Sequence, residues 1–409
     1  MLAVPSPWKT NRVQMETKLK VEKMVHGGFG LCRTGSGVVF VSDGLPGETV
    51  RAVVERPLGG QAHASALEIL EPSPFRRKPA CPLAGICGGC DWLHIEYKSQ
   101  VAMKLEIFRE CLKRIGKIDD APEITVCESP EFEYRRRVQF KVDQARNAAG
   151  FFRRKSSEVV AIAQCPILCG ELNNLLSRLP SCMAALPKGV AQLKAICGMG
   201  AQNAANGSIL SVASSPVLPG CTLPTTEIET EGRRFVVDGE SFFQSNRFLC
   251  GPMGQWAADM LKGETLWDLF GGAGFFSVFL GKCFKKGVLV DNERCHIAAA
   301  RKNLQANGIA GIIVEAATVA QFLYASEKAK DRPDCIVVDP PREGLQKNVR
   351  ELLAAVAPST LLYVSCDPAT QARDAGFLIK KCGYRIDKAA LFDCYPQTHH
   401  LETMLLLRR

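Results

Sequence analysis

Four short peptides hold most of the chemistry available to this chain. The first, Asp268-Leu-Phe-Gly-Gly-Ala-Gly274, follows a strand-like run and precedes a helix-like one. Small residues at such a place let the backbone approach a ligand at the carboxyl edge of a sheet. Asp291 ends the next strand-like run, where a carboxylate can hold a ribose hydroxyl pair. Together they read as a nucleoside-cofactor site rather than a plain tight turn. Asp339-Pro-Pro-Arg342 and Ser365-Cys-Asp-Pro368 end two further strand-like runs, so both should face the same crevice. Asp339 is placed to hydrogen-bond a base edge, and Cys366 stands where a nucleophile would be wanted. Most cysteines are packing residues, and its place at a strand end sets Cys366 apart from them. The fourth peptide, His399-His400-Leu-Glu402, offers a carboxylate where the last strand begins. A thiol and a carboxylate in one crevice suit nucleophilic addition followed by proton removal.

A separate group of thiols, Cys81-x5-Cys87-Gly-Gly-Cys90 with Cys165 far downstream, has ligand character. By count, four thiolates suit tetrahedral zinc and an iron–sulfur cluster equally. Cys111, Cys127 and Cys169 are alternative fourth ligands. Eighteen cysteines with no secretory signal point to a reducing compartment, the cytoplasm.

These peptides need a scaffold of several parts. At 409 residues, 46% hydrophobic and 23% charged, the chain has ordinary globular composition and room for two or three domains. No apolar run is long enough to span a membrane. The formal charge of +9 favours a polyanionic partner. Its clusters are Arg76 to Lys78, Arg135 to Arg137 and Arg153 to Lys155. The last two fall in an expected hairpin, suited to phosphate contact or simply to solvent. Residues 16–72 read as short strands with Gly-rich turns, a small oligonucleotide-binding type of barrel. A helix is expected over 97–115, and residues 171–230 show no sharp pattern. From about 235, strand-like and helix-like runs alternate, which argues for a parallel sheet wrapped by helices. The end, YRIDKAALFD then LETMLLLRR, implies an antiparallel pair.

Ser365-Cys-Asp-Pro-Ala-Thr370, His399-His-Leu-Glu402 and Ser241-Phe-Phe-Gln244 together resemble the RNA uridine-C5 methyltransferases, and the similarity covers nearly the whole chain. The resemblance implies three domains. These are a TRAM-like OB barrel over 16–72, a central four-cysteine domain over 73–235, and a class I S-adenosylmethionine-dependent, Rossmann-like methyltransferase domain over 236–409. It tips the ligand set Cys81, Cys87, Cys90 and Cys165 from zinc to [4Fe–4S]. By the same resemblance Cys366 is the nucleophile and Glu402 the base that removes the C5 proton. Gln244, Phe270, Asp291 and Asp339 match contacts to the methyl donor or target base, and Phe242 matches an aromatic that stacks on a flipped-out base. The implied substrate is RNA, ribosomal in preference to transfer RNA, and the implied state a monomer. Two departures stand out. Phe275 replaces an asparagine of some relatives, and small apolar residues surround Ala316 where others are polar. Two rival readings are an adenine amino-methyltransferase and an inert iron–sulfur RNA-binding protein. The first lacks an aromatic where Arg342 stands and leaves Cys366 and Glu402 unemployed; the intact glycine loop, Asp291, Cys366 and Glu402 speak against the second.

Overall fold

The computed structural model describes residues 15–35, 37–58, 61–202 and 209–409. The first part is a six-stranded sheet curled into a partial barrel. Its order is Met15–Lys20, Thr49–Leu58, Gln61–Glu71, Gly37–Ser42, Phe29–Thr34, Lys23–Val25. Alternating residues Leu19, Val39, Val41, Val50 and Ala52 close its small core. The turn residue Glu48 is fully buried and accepts bonds from Leu45 N (2.8 Å), Ser73 N (3.1 Å) and Arg76 Nε (2.5 Å). Burial alone would raise its pKa. The guanidinium and the two amides outweigh that and hold it below the usual carboxylate range. Arg76 therefore ties the barrel to the segment that follows it.

A seven-stranded antiparallel sheet comes next, from strands between Arg137 and Asp238. The helix Gly170–Cys182 covers it with Leu172, Leu175, Leu176 and Leu179. The expected basic hairpin is three strands, Arg137–Asp143, Ala148–Phe152 and Val159–Ala161. Arg135 and Arg136 precede the first, and Arg153 to Lys155 sit in the turn between the last two.

The third sheet has eight strands. Its order is Ile312–Ala316, Phe284–Asp291, Gly263–Leu269, Cys335–Val338, Thr360–Ser365, Glu402–Arg408, Arg385–Phe392, Ile124–Cys127. The first five run parallel, and Glu402–Arg408 is antiparallel to both its neighbours. The edge strand Ile124–Cys127 pairs parallel with Arg385–Phe392, from a stretch well before residue 236. This is the class I Rossmann-like arrangement, an α/β sheet that changes direction between Gly263–Leu269 and Cys335–Val338. Alternate residues serve opposite faces. Trp267, Leu269, Ile336 and Val338 pack under the helices Tyr97–Glu110, Val319–Ala329, Lys347–Val356 and Pro368–Cys382. Leu266, Leu289, Val337 and Val364 pack under Cys250–Met260, Phe275–Leu280 and Arg294–Ala306. The expected helix over 97–115 continues beyond Glu110 as a wider π-turn, Cys111–Ile115. Among the described residues no helix is long and apolar enough to cross a membrane.

Candidate active site

The glycine peptide begins where the strand Gly263–Leu269 stops. Phe270 has φ +61°, a left-handed backbone that few residues with a Cβ adopt. Gly271 must be glycine for space, since a Cβ there would lie 2.5 Å from Leu289 Cγ. The turn then aims the Gly272 amide at Asp291 Oδ2 (2.9 Å). Asp291 Oδ1 accepts from Glu293 N (2.9 Å) and faces His296 Nδ1 (3.1 Å). Burial opposes ionisation of Asp291, but the His296 contact and the amides win and keep it below the usual range. An ionised acceptor thus stands at the carboxyl end of Phe284–Asp291, one strand from the switch point. The other ring nitrogen of His296 receives the Phe242 amide (3.3 Å), so one imidazole joins Asp291 to the Ser241–Gln244 peptide.

Cys366 and Glu402 are brought together by register. Ser365 pairs with Thr403 across antiparallel strands, so the residue after one lies beside the residue before the other. Gln371 holds this corner by donating to Tyr363 O (2.9 Å) and accepting from Thr403 Oγ1 (2.9 Å). Burial, then the Glu402 and Asp339 carboxylates, push the Cys366 thiol up to about 12, against a hydrogen bond from Arg342. Burial and Asp339 likewise lift Glu402 well above the carboxylate range, with Arg342 and Tyr395 opposing. Burial, then Asp268, raises Asp339 to about 7. Burial, His399 and Arg342 hold His400 down to about 3, neutral at the wall.

All six residues expected to act or to touch the methyl donor line one cavity of about 940 Å³: Cys366, Glu402, Gln244, Phe270, Asp291 and Asp339. Phe242, about two-fifths exposed, is at its mouth with the Arg137 guanidinium 5.7 Å from its ring centre. Residue-by-residue reading missed His296 and Tyr395, and saw Arg342 only as an absent aromatic. Phe275 does not line the cavity; it packs in an aromatic cluster with Phe235, Phe243 and Phe279. At the expected adenine end Ala317, Thr318, Val319 and Ala320 form the wall. The Thr318 hydroxyl is engaged with Gln321 in capping the next helix.

Cys81, Cys87, Cys90 and Cys165 line a second cavity of about 620 Å³. It shares Phe242, Arg342, Tyr395 and His400 with the first, so the two are contiguous. Burial and then the charges of Cys165 and Cys87 disfavour ionisation of Cys90, with the Arg135 guanidinium opposing them. A soft, all-sulfur donor set of this kind fits an iron–sulfur cluster or zinc. Of the candidate fourth ligands only Cys165 lines this cavity. Cys169 groups with Glu171 and Cys197, their donor atoms all within 4.8 Å of one another. The Arg247 guanidinium, 3.9 Å from Glu171, supplies positive charge there.

The basic clusters are largely engaged within the protein. Arg77 pairs with Glu131 (2.6 Å), Arg153 with Glu158 (2.7 Å) and Arg154 with Asp43 (2.7 Å). Arg135, Arg137, Arg153, Arg154 and Lys155 nevertheless line the second cavity and make it electropositive.

A family model described as tRNA (Uracil-5-)-methyltransferase matches residues 225–409. An uncharacterized RNA methyltransferase of Aquifex aeolicus is 31% identical over 95% of this chain and 98% of its own. The 23S rRNA (uracil(1939)-C(5))-methyltransferase RlmD of Pseudomonas fluorescens is 30% identical over 96% of this chain and 94% of its own. A solved structure, the tRNA (uracil-54, C5)-methyltransferase of Pyrococcus abyssi with S-adenosyl-L-homocysteine, superposes with TM-score 0.70 and 22% identity, covering 96% of this chain and all of that one. That likeness speaks for the fold. With full-length identity of this order to relatives of one kind, the chain belongs to the S-adenosylmethionine-dependent RNA uracil-C5 methyltransferases.

Proposed function

We propose that the chain methylates C5 of a uridine in ribosomal RNA through a covalent bond between Cys366 and C6 of the uracil. The observation that supports this most is Cys366 and Glu402 side by side in the cavity that also holds Asp291 and Asp339. Uracil C5 is too weak a nucleophile to take a methyl group unaided. The Cys366 thiol gives its proton to solvent water and the sulfur adds to C6, sending the ring electrons onto the C4 oxygen as an enolate. Bound S-adenosylmethionine supplies an electrophilic sulfonium methyl. The enolate returns its electrons so that a C5–methyl bond forms and the methyl–sulfur bond breaks. Glu402, with its raised proton affinity, takes the C5 proton. The electrons left behind restore the C5–C6 double bond and expel the thiolate. Arg342 opposes the negative charge gathered around Cys366 and Glu402.

In this reading Asp291, Phe270, Gln244 and Asp339 hold the methyl donor or the target base, and Phe242 stacks on the flipped-out uracil. Cys81, Cys87, Cys90 and Cys165 hold a [4Fe–4S] cluster with a structural or RNA-positioning role, since methyl transfer needs no electrons from it. Residues 16–72 act as a TRAM-like RNA-binding barrel, 73–235 as the cluster domain and 236–409 as the catalytic domain. Cytoplasmic RNA is the substrate pool. Ribosomal RNA is preferred on the strength of the RlmD relatives. The family description naming transfer RNA supports the same chemistry on that substrate as the second reading.

The test is nucleoside mass spectrometry of RNA treated with the anaerobically purified enzyme and S-adenosylmethionine. Ribosomal and transfer RNA from cells lacking the enzyme are assayed separately. A rise of 5-methyluridine in ribosomal RNA is expected. A rise in transfer RNA alone would shift the substrate, and no rise in either would overturn the proposal.

A further inference from the structure

The two peptides that carry Cys366 and Glu402 are both touched by one turn of the N-terminal barrel. The turn, His26-Gly27-Gly28, links the strands Lys23–Val25 and Phe29–Thr34. His26 Nε2 lies 3.1 Å from Asp367 Oδ2, on the residue that directly follows Cys366. Asp367 is doubly committed. Its Oδ1 accepts Ala369 N (3.0 Å) and Thr370 N (2.9 Å), capping the helix Pro368–Cys382. Its amide donates to Ser365 Oγ (3.1 Å) on the other side of the cysteine. With the cap oxygen engaged by the helix, the second oxygen is the one left for an outside partner, and His26 takes it.

Gly28 meets the other peptide. A Cβ on Gly28, at φ +81°, would fall 2.8 Å from His399 Cβ and 3.0 Å from Asp91 Oδ2. The backbone therefore lies directly against His399, three residues before Glu402. His399 is fixed from the other side by Asp91, which accepts its amide (3.1 Å) and contacts its Nδ1. Trp92, next to Asp91, donates to Gly28 O (3.4 Å) and closes the ring of contacts. None of these residues lines the cavity that holds Cys366 and Glu402.

We propose that the turn His26–Gly28 is a positioning element of the methyl-transfer site, setting the nucleophile's peptide through Asp367 and the base's peptide through His399. The inference rests on the roles given above to Cys366 and Glu402. It makes the barrel part of the catalytic geometry as well as a surface for RNA. Small displacements of a reacting group have large kinetic effects, so a lost contact should appear in rate before it appears in affinity.

The experiment uses the full-length, cluster-loaded enzyme and compares wild type with His26→Ala, His26→Gln and Gly28→Ala. Covalent capture of RNA is followed in single turnovers on denaturing gels, alongside steady-state kcat and KM for RNA and the melting temperature. His26→Ala is expected to slow capture and lower kcat by about tenfold, with KM and melting temperature nearly unchanged. His26→Gln, whose amide reaches the same oxygen, should recover most of the rate. Gly28→Ala should slow release of the methylated adduct more than its formation. A His26→Ala enzyme whose KM rises while kcat and capture stay at wild-type values would overturn the proposal, leaving the turn as an RNA contact only. Wild-type behaviour in all three variants would overturn it too. Cys366→Ala is run beside them: if it still methylates, the nucleophile assignment fails, independently of what the His26 variants show.

Discussion

Asp268 illustrates how much the site asks of single side chains. It is fully buried in the glycine peptide, accepts Ser277 N (3.0 Å) and Ser277 Oγ (2.6 Å) on one oxygen, and has no hydrogen-bond partner on the other. Burial lifts its pKa from 3.8 to about 6 despite those bonds, with Asp291 adding to the rise. The folded form thus keeps a proton that the unfolded chain releases. Stability should fall as pH rises from about 4 to about 6, by about 3 kcal/mol from this group. Urea unfolding midpoints across that range should show the decline in wild type and a flatter profile in Asp268→Asn. The catalytic pair separates differently. Cys366→Ala should abolish both methylation and covalent capture of RNA. Glu402→Gln should accumulate a methylated protein–RNA adduct, because elimination stalls without the base; denaturing gels and mass spectrometry distinguish the two, and normal turnover in either sinks the assignment. Cys366 and Asp291 were legible in the sequence because strand ends in an open α/β sheet share one crevice. His296 and Tyr395 were not. His296 matters through a bond back to Asp291 and another to Phe242, and Tyr395 through a loop that returns it to Glu402, which no local pattern announces.

Among the elements, periodicity found the helix at Tyr97, four helices of the last sheet and its central strands, but not the helices Gly170–Cys182, Cys250–Met260 and Val319–Ala329. It missed the strand Ile312–Ala316, where only Ile312 is buried and no alternation develops. It also gave no structure to 171–230, where buried residues such as Leu193, Ala195 and Ile228 lie among small and polar ones and mark no clear run. The basic clusters were legible only as charge, for a related reason. An arginine's partner can be far along the chain, as Asp43 is for Arg154, and the sequence shows only the charge. One helix contact has a measurable cost. Lys104, fully buried on the helix Tyr97–Glu110, pairs with buried Asp393 (2.6 Å) and donates to Tyr395 O (3.1 Å). Lys104→Met would strand the Asp393 charge and should cost about 3–5 kcal/mol in denaturant unfolding. Activity should fall as well, since Tyr395 lines the cavity; an unchanged unfolding midpoint would refute the account.

Across the whole molecule, the second cavity joins the four cysteines to the catalytic one through Phe242, Arg342, Tyr395 and His400. If it houses a [4Fe–4S] cluster, anaerobically purified protein should be brown, with about four iron and four sulfide per chain. Stoichiometric zinc without iron would refute that. All four cysteines were legible in the sequence, but spacing alone left Cys111, Cys127 and Cys169 as alternatives to Cys165; of these four only Cys165 lines the cavity.

The parallel pairing of Ile124–Cys127 with Arg385–Phe392 bears on how this enzyme can be taken apart. A fragment beginning at residue 236 would strip the buried segment Ala389 to Phe392 of its neighbour. It would leave a row of unsatisfied amides and carbonyls beside an apolar face. Such an exposed margin recruits further copies of itself. The excised catalytic half should therefore come out of cells aggregated. Supplying residues 96–128 in the same chain should return part of it to the monomer peak of a gel-filtration column.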